Sequence, residues 1–219
     1  MLELFPEAAI ERNAPHKRQK AFVIERQSDT VGEGIVLLRV HGARGRIDEH
    51  ELMEAIILGS ERTFEQDPKY AIHLLVDIAI RALSPAVNDP STAVQALDQI
   101  EDLLLRLGRR SLEVGAFRDR NGNLRLVLPF PAWEDFLTLA LEEIRHYGAT
   151  SKQVMRRMGA LLSDLMEALP AERRRALRWE RERLEAAILR SYDDDEEIVL
   201  ASVEDRQGLG APRKHRAGA

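Results

Sequence analysis

The sequence predicts a mainly helical α+β protein, with a bundle of about six helices, a strand pair near the N-terminus and a β-hairpin near residues 112–128. Three observations support this fold class. Apolar residues recur at helical spacing through much of the second half of the chain. Two aspartate–proline pairs mark helix starts. Finally, Asn121-Gly122 separates two segments of alternating apolar residues, which is typical of a hairpin.

Composition narrows the class of protein. The hydrophobic share is 44 % and the charged share 32 %, while aromatic residues make up only 5 %, so the core must be mainly aliphatic. The net charge of −5 gives no reason to expect nucleic acid as a partner. There is no cysteine, which excludes disulfides and thiolate chemistry. No apolar run reaches the ~20 residues of a spanning helix, and no signal peptide is visible, so we expect a soluble, cytoplasmic chain.

The length of 219 residues suits one hydrophobic core. Residues 1–20 are polar and mixed in charge, and the last dozen residues are basic and rich in glycine. We therefore expect a flexible leader at 1–20, a single soluble domain at 21–206 and a flexible tail at 207–219.

The first elements are two short strands rich in β-branched residues, at 21–24 and 34–40. Asp48 then follows as a candidate N-cap for a helix that runs through Ile56 and Ile57.

The first of the central helices should begin at Pro68, where proline loses no hydrogen bond and Asp67 can cap the free backbone N–H groups. It should run to about Leu83, because Ser84-Pro85 disfavours a continuing helix. Its apolar stripe consists of Ile72, Leu75, Val76 and Ala79.

The same signal recurs at Asp89-Pro90, which predicts a helix that ends at Gly108. The hairpin follows, with a type I′ turn expected at Asn121-Gly122. Three more helices are indicated by apolar residues at 3.6-residue spacing, around 133–144, 154–165 and 177–188.

Two stretches carry a resemblance to a known family. They are Arg62–Asp67, which reads RTFEQD, and Leu75–Ala93, which reads LVDIAIRALSPAVNDPSTA. Together they resemble the centre of a bacterial predicted-membrane-protein family, domain of unknown function 2254, over roughly residues 30 to 212. Members usually begin with several membrane-spanning helices, so the chain resembles the soluble C-terminal portion alone. The resemblance implies no established activity.

Polar residues around the first central helix form the candidate ligand site. Asp77 and Arg81 lie four residues apart on one helix face, and His73 lies one turn earlier. One interpretation is an anion pocket in which an arginine holds the ligand; the other is a buried network that fixes helix caps and a turn. The candidates are Arg62, Glu65, Gln66, Asp67, His73, Asp77, Arg81, Ser84, Asn88 and Asp89.

No catalytic residue, metal site or cofactor is predicted. His73 and Asp77 have ligand spacing, but Arg81 competes as the cation next to Asp77. Glu143-x-x-His146 is only half of a di-iron motif pair. The arginines of 172–190 alternate with glutamates, which is typical of a solvated helix face.

These observations favour a non-catalytic regulatory or assembly domain associated with a membrane protein complex. The expected partners are a second copy of the chain and a membrane protein, or a missing membrane-spanning segment, and not nucleic acid. The alternative is a small-molecule-binding domain or an enzyme, with an arginine and carboxylate pocket around the Arg62–Asp67 and Asp77–Asp89 segments.

Overall fold

The computed structural model describes residues 2–4, 21–24, 35–41, 50, 56–58 and 67–209. It divides the chain into two compact units. The first comprises residues 1–70 and 111–131, and the second comprises residues 71–110 and 132–219. The predicted mainly helical α+β class is confirmed, with six α-helices in the described residues. The predicted extents of leader, single domain and tail stay predictions.

The described residues of the first unit form two small sheets. One joins β1 (Leu2–Leu4) and β4 (Ile56–Leu58) in antiparallel register. The strand at Ile56–Leu58 shows that the helix expected after Asp48 is wrong at these residues. A short apolar run cannot be assigned to helix or strand by its periodicity, and the β-branched isoleucines favour a strand.

The second sheet has the strand order β3-β2-β6-β5. The expected N-terminal pair and the expected hairpin are both confirmed as antiparallel pairs. They join through a parallel pairing of β2 with β6, in which the backbone of Phe22 pairs with that of Leu126 and Val23 with Val127. The strands are β2 (Ala21–Ile24), β3 (Leu38–His41), β5 (Ala116–Arg118) and β6 (Leu124–Val127).

The hairpin turn differs from the predicted type. A type I′ turn needs positive φ at both central residues, but Gly122 has φ +80° while Asn121 does not share that conformation. The Asp119 carboxylate accepts hydrogen bonds from the backbone N–H groups of Asn121 and Asn123, each at 2.9 Å. The type I′ prediction is therefore wrong, because the Asp119 side chain organises a longer connection.

The second unit is a helical bundle. Its helices are α1 (Pro68–Ala82), α2 (Pro90–Gly108), α3 (Trp133–Gly148), α4 (Lys152–Ala168), α5 (Arg174–Ser191) and α6 (Asp195–Ser202), with a 3₁₀ turn at Ala171–Arg173. The first three residues of α1, 68–70, belong to the first unit.

Helix α4 forms the centre of this bundle. It packs against α2, α3, α5 and α6, and its apolar residues recur at the helical period that the sequence predicted. Met155 and Met158 are fully buried core residues of this helix, where the unbranched methionine side chain fills gaps. Within the described residues, no helix combines the length and the apolar character that crossing a membrane requires.

Candidate functional site

Seven of the ten candidate ligand residues lie in the described part of the chain, just before α1, on α1, on the loop after it and just before α2. The other three, Arg62, Glu65 and Gln66, lie outside the described residues. The question is therefore which of the seven the structure brings together.

The face of α1 brings together only two of these candidates. His73 Nε2 and Asp77 Oδ2 are 3.9 Å apart, and both side chains are partly exposed. Arg81 is exposed one turn further along and makes no ion pair within the described chain. The expected Asp77–Arg81 pairing is thus replaced by a long contact between His73 and Asp77.

Asp67 and Asp89 act as helix caps, as the sequence predicted. The Asp67 carboxylate accepts a hydrogen bond from the backbone N–H of Lys69 at 2.9 Å. Asp89 accepts from the backbone N–H groups of Ser91 and Thr92, and from the Thr92 hydroxyl at 2.5 Å. The hydrogen bond from the Thr92 hydroxyl is the main reason why the pKa of Asp89 is lowered.

Ser84 and Asn88 shape the connection between α1 and α2 through their backbones. The Ser84 carbonyl accepts from the N–H groups of Val87 at 3.1 Å and Asn88 at 2.8 Å, and the Asp89 N–H donates to the Ala82 carbonyl at 2.8 Å. Asn88 has φ +47°, in the left-handed region that asparagine tolerates better than most residues. Capping and turn formation thus account for these positions, and the ligand-binding role of the cluster stays a prediction.

Sequence reasoning missed a second set of charged residues, which are buried between helices. Arg157 of α4 donates to Asp98 and Glu101 of α2, at 2.7 and 2.6 Å. A charge enclosed in this way must be compensated, because removing it from water is costly. This pairing ties the central helix to α2.

A buried ion pair also links α3 to α5. Arg145 is 6 % exposed and Glu180 is 1 % exposed, and Arg145 Nη1 lies 2.5 Å from Glu180 Oε2. Arg183 approaches the other carboxylate oxygen of Glu180 to 3.9 Å and reaches Glu142 at 3.0 Å. Its guanidinium also stacks over the Trp179 ring, 4.4 Å from the centroid. These contacts hold the arginines in fixed positions.

One signal in the sequence could have found these charges. Glu180 lies three residues after Leu177 and four before Leu184, so it occupies the apolar stripe of its helix. Arg145 lies four residues after Leu141 in the same way. The prediction that the face of 172–190 is solvated holds for exposed residues such as Arg178, but Glu180 is buried.

A further network fastens the segment 195–208 to the bundle. Arg181 donates to Glu204 at 2.8 Å and to the hydroxyl of Ser163, which itself donates to Glu204 at 2.8 Å. Arg206 makes two hydrogen bonds to Asp164, and these raise the pKa of Arg206. Helix α6 is therefore held in a defined orientation.

The described residues contain no group of three or more histidine, aspartate or glutamate side chains placed to hold a metal ion.

Comparisons with known proteins identify the family. A family model described as a predicted membrane protein, domain of unknown function 2254, matches residues 7–164. Uncharacterized proteins of Mycobacterium bovis and Mycobacterium tuberculosis are 33 % identical to this chain over 180 residues. The alignment covers 78 % of this chain and 34 % of each relative, so the chain spans about a third of their length. No solved structure matches it. The chain belongs to the predicted-membrane-protein family of domain of unknown function 2254.

Proposed function

We propose that this chain is a non-catalytic regulatory or assembly module that associates with copies of itself within a membrane protein complex. The observation that carries the proposal is the outer apolar face of α6, formed by Val199, Leu200 and Val203. These side chains are 62 %, 42 % and 38 % exposed. Contiguous apolar groups on a protein surface mark interaction sites more often than isolated ones do.

The spacing of the three residues places them together. Val199 and Val203 are four residues apart and Leu200 is three before Val203, so they share one side of α6 and its C-terminal cap. The opposite side of the helix is used for packing, since Ala201 is fully buried and α6 contacts both α4 and α5. Because one apolar side of α6 is packed against the bundle, the other apolar side is available for a partner.

The outer apolar face of α6 is also rigidly held, which favours binding. Lys152 pairs with Glu197 at 2.6 Å, and Arg156 donates to the Leu200 carbonyl at 2.6 Å. A preorganised face loses little conformational entropy when it binds. We assign a second copy of the chain as its partner, because closed twofold dimers are the commonest oligomers and use the same patch on both subunits.

Family membership supports the membrane connection of the proposal. A module that self-associates would bring together the membrane-embedded parts of the proteins that contain it, because each contact raises the effective concentration of the next. We place the module in the cytoplasm, since a chain of 219 residues without cysteine suits a reducing compartment.

Sedimentation analysis over a range of protein concentrations tests the proposal. The wild-type chain should form a defined oligomer, and Val199→Glu should shift it to the monomer, since a twofold contact would place two carboxylates close together. The matched control is Ile78→Glu on α1, where the replaced side chain is 47 % exposed and belongs to a different helix. A wild-type monomer at every concentration, or an oligomer that Val199→Glu leaves intact, would overturn the proposal.

A further inference from the structure

An open cleft lies between α3 and α5, with a volume of about 750 Å³. Its walls include three arginines and a histidine, namely Arg145, Arg183, Arg190 and His146. The volume falls within the range of small-molecule sites. We infer that this cleft binds a small ligand that carries a phosphate group.

Arg145 is the most buried of the three arginines that line the cleft. Its side chain is more than nine-tenths buried, and its one hydrogen bond to a described residue is from Nη1 to Glu180. A guanidinium has five N–H donors, so Nε and Nη2 of Arg145 have no acceptor among the residues that the structure describes. Neither nitrogen is sealed in the protein interior, and Arg145 lines the cleft, so both can donate hydrogen bonds to a phosphate group there.

Helix α5 presents the other two arginines on the same side. Arg183 and Arg190 are seven residues apart, which is about two turns. Between them, Ala186 and Ala187 line the cleft with small side chains and leave space above the helix. Arg183 is already positioned by Glu142 and by stacking on Trp179. Arg190 makes no ion pair with any described residue.

The arginines supply the cleft with hydrogen-bond donors for an anion. Glu180 and Glu142 are engaged by Arg145 and Arg183. These carboxylates therefore fix the guanidinium groups. Glu143, which also lines the cleft, is exposed. Guanidinium groups match the geometry of phosphate oxygens through paired hydrogen bonds, which is why phosphate is the expected ligand group.

The inference goes beyond the proposed function and does not depend on self-association. The cleft is built by α3 and α5, whereas the outer apolar face lies on α6. A phosphate group could come from a soluble phosphate compound or from a phospholipid headgroup, which have the same recognition chemistry. The experiment has one arm for each source.

The fluorescence of Trp179 provides the readout, because the ring is half exposed and lies under Arg183. The full chain is titrated with inorganic phosphate at constant ionic strength. In the second arm it is titrated with phosphatidylcholine vesicles, with and without phosphatidic acid. The chain has one other tryptophan, Trp133, so Trp179→Phe identifies which part of the signal belongs to the cleft.

The test variants are Arg183→Gln and Arg190→Gln, and the matched control is Arg178→Gln, which removes the same charge from an exposed position on the same helix. Each test variant should weaken binding by about tenfold, as expected for the loss of a charge-assisted hydrogen bond. Arg178→Gln should bind like the wild type. Circular dichroism checks that each variant is folded.

A saturable response to inorganic phosphate that both test variants weaken supports the site with a soluble ligand. A response only to vesicles with phosphatidic acid, weakened in the same way, supports it with a lipid headgroup. No saturable response in either arm, or equal responses in the test variants and Arg178→Gln, would overturn the inference.

Discussion

The buried pair of Arg145 and Glu180 gives the sharpest stability prediction. Replacing Glu180 by methionine keeps a side chain of similar size but leaves the Arg145 guanidinium enclosed without its carboxylate. Replacing Arg145 by methionine leaves the Glu180 carboxylate with only the longer contact to Arg183, at 3.9 Å. Each single change should therefore be costly, because one buried charge loses its partner.

The magnitude follows from the degree of burial. With both side chains less than a tenth exposed, each single variant should lose about 3–5 kcal/mol of the free energy of unfolding. The double variant Arg145→Met with Glu180→Met should lie much closer to the wild type, because apolar groups of similar volume can replace a buried ion pair at little cost. The two effects should therefore be strongly non-additive.

Urea unfolding followed by far-ultraviolet circular dichroism measures the free energy of unfolding of each variant. With an m-value of about 1–3 kcal/mol per molar, each single change should lower the midpoint by at least about 1 M. The control is Asp102→Asn, which breaks an exposed pair with Arg106 whose side chains are 55 % and 72 % exposed. It should cost only about 0.3–0.5 kcal/mol, as helix surface pairs do.

Either of two results would contradict a strong coupling between Arg145 and Glu180. One is a single variant that unfolds at the same urea concentration as Asp102→Asn. The other is a double variant whose loss equals the sum of the two single losses, since that would show no coupling between the two side chains.

Three further predictions concern helix ends and tight backbone positions. Asp89→Ala should destabilise the start of α2, while Asp89→Asn should retain most of the cap. Because the pKa of Asp89 is lowered in the folded state, the Asp89 carboxylate stabilises the fold above about pH 4, and this stabilisation is lost as the pH falls through the folded-state pKa. Urea unfolding should therefore show the stabilities of the wild type and Asp89→Ala converging in acid. Asn88→Val should cost about 1 kcal/mol in thermal unfolding, and Asn88→Gly much less, because φ is +47° there. Gly208→Ala should speed proteolysis of the C-terminal segment, because a methyl group would meet the backbone carbonyl of Gln153 at a φ of +70°; Gly159→Ala has no such contact and should stabilise α4 by about 0.5–1 kcal/mol.

The helix starts could be predicted to the residue because capping is local chemistry. At Pro68 and Pro90 the preceding aspartate supplies the acceptor and the proline fits the first turn, so a few adjacent residues contain the whole signal. The parallel pairing of β2 with β6 could not be predicted in this way. It joins residues near 22 to residues near 126, and no local pattern specifies which distant strand a given strand will meet.

In the candidate site, too, local contacts could be predicted from the sequence and contacts between distant segments could not. Asp67 and Asp89 have the capping roles that their neighbours in sequence indicated. Arg145 and Glu180 were not singled out, because pairing across 35 positions depends on how α3 and α5 pack. The sequence shows only that both residues lie on the apolar stripes of their helices. A position on an apolar stripe indicates that a side chain is buried, but it does not indicate which residue pairs with it.

Native mass spectrometry of the full chain tests the central claim most directly. We predict a defined oligomer, most simply a dimer, that becomes a monomer in Val199→Glu and persists in Ile78→Glu. A wild-type spectrum that contains only the monomer would contradict the account of this chain as a self-associating module.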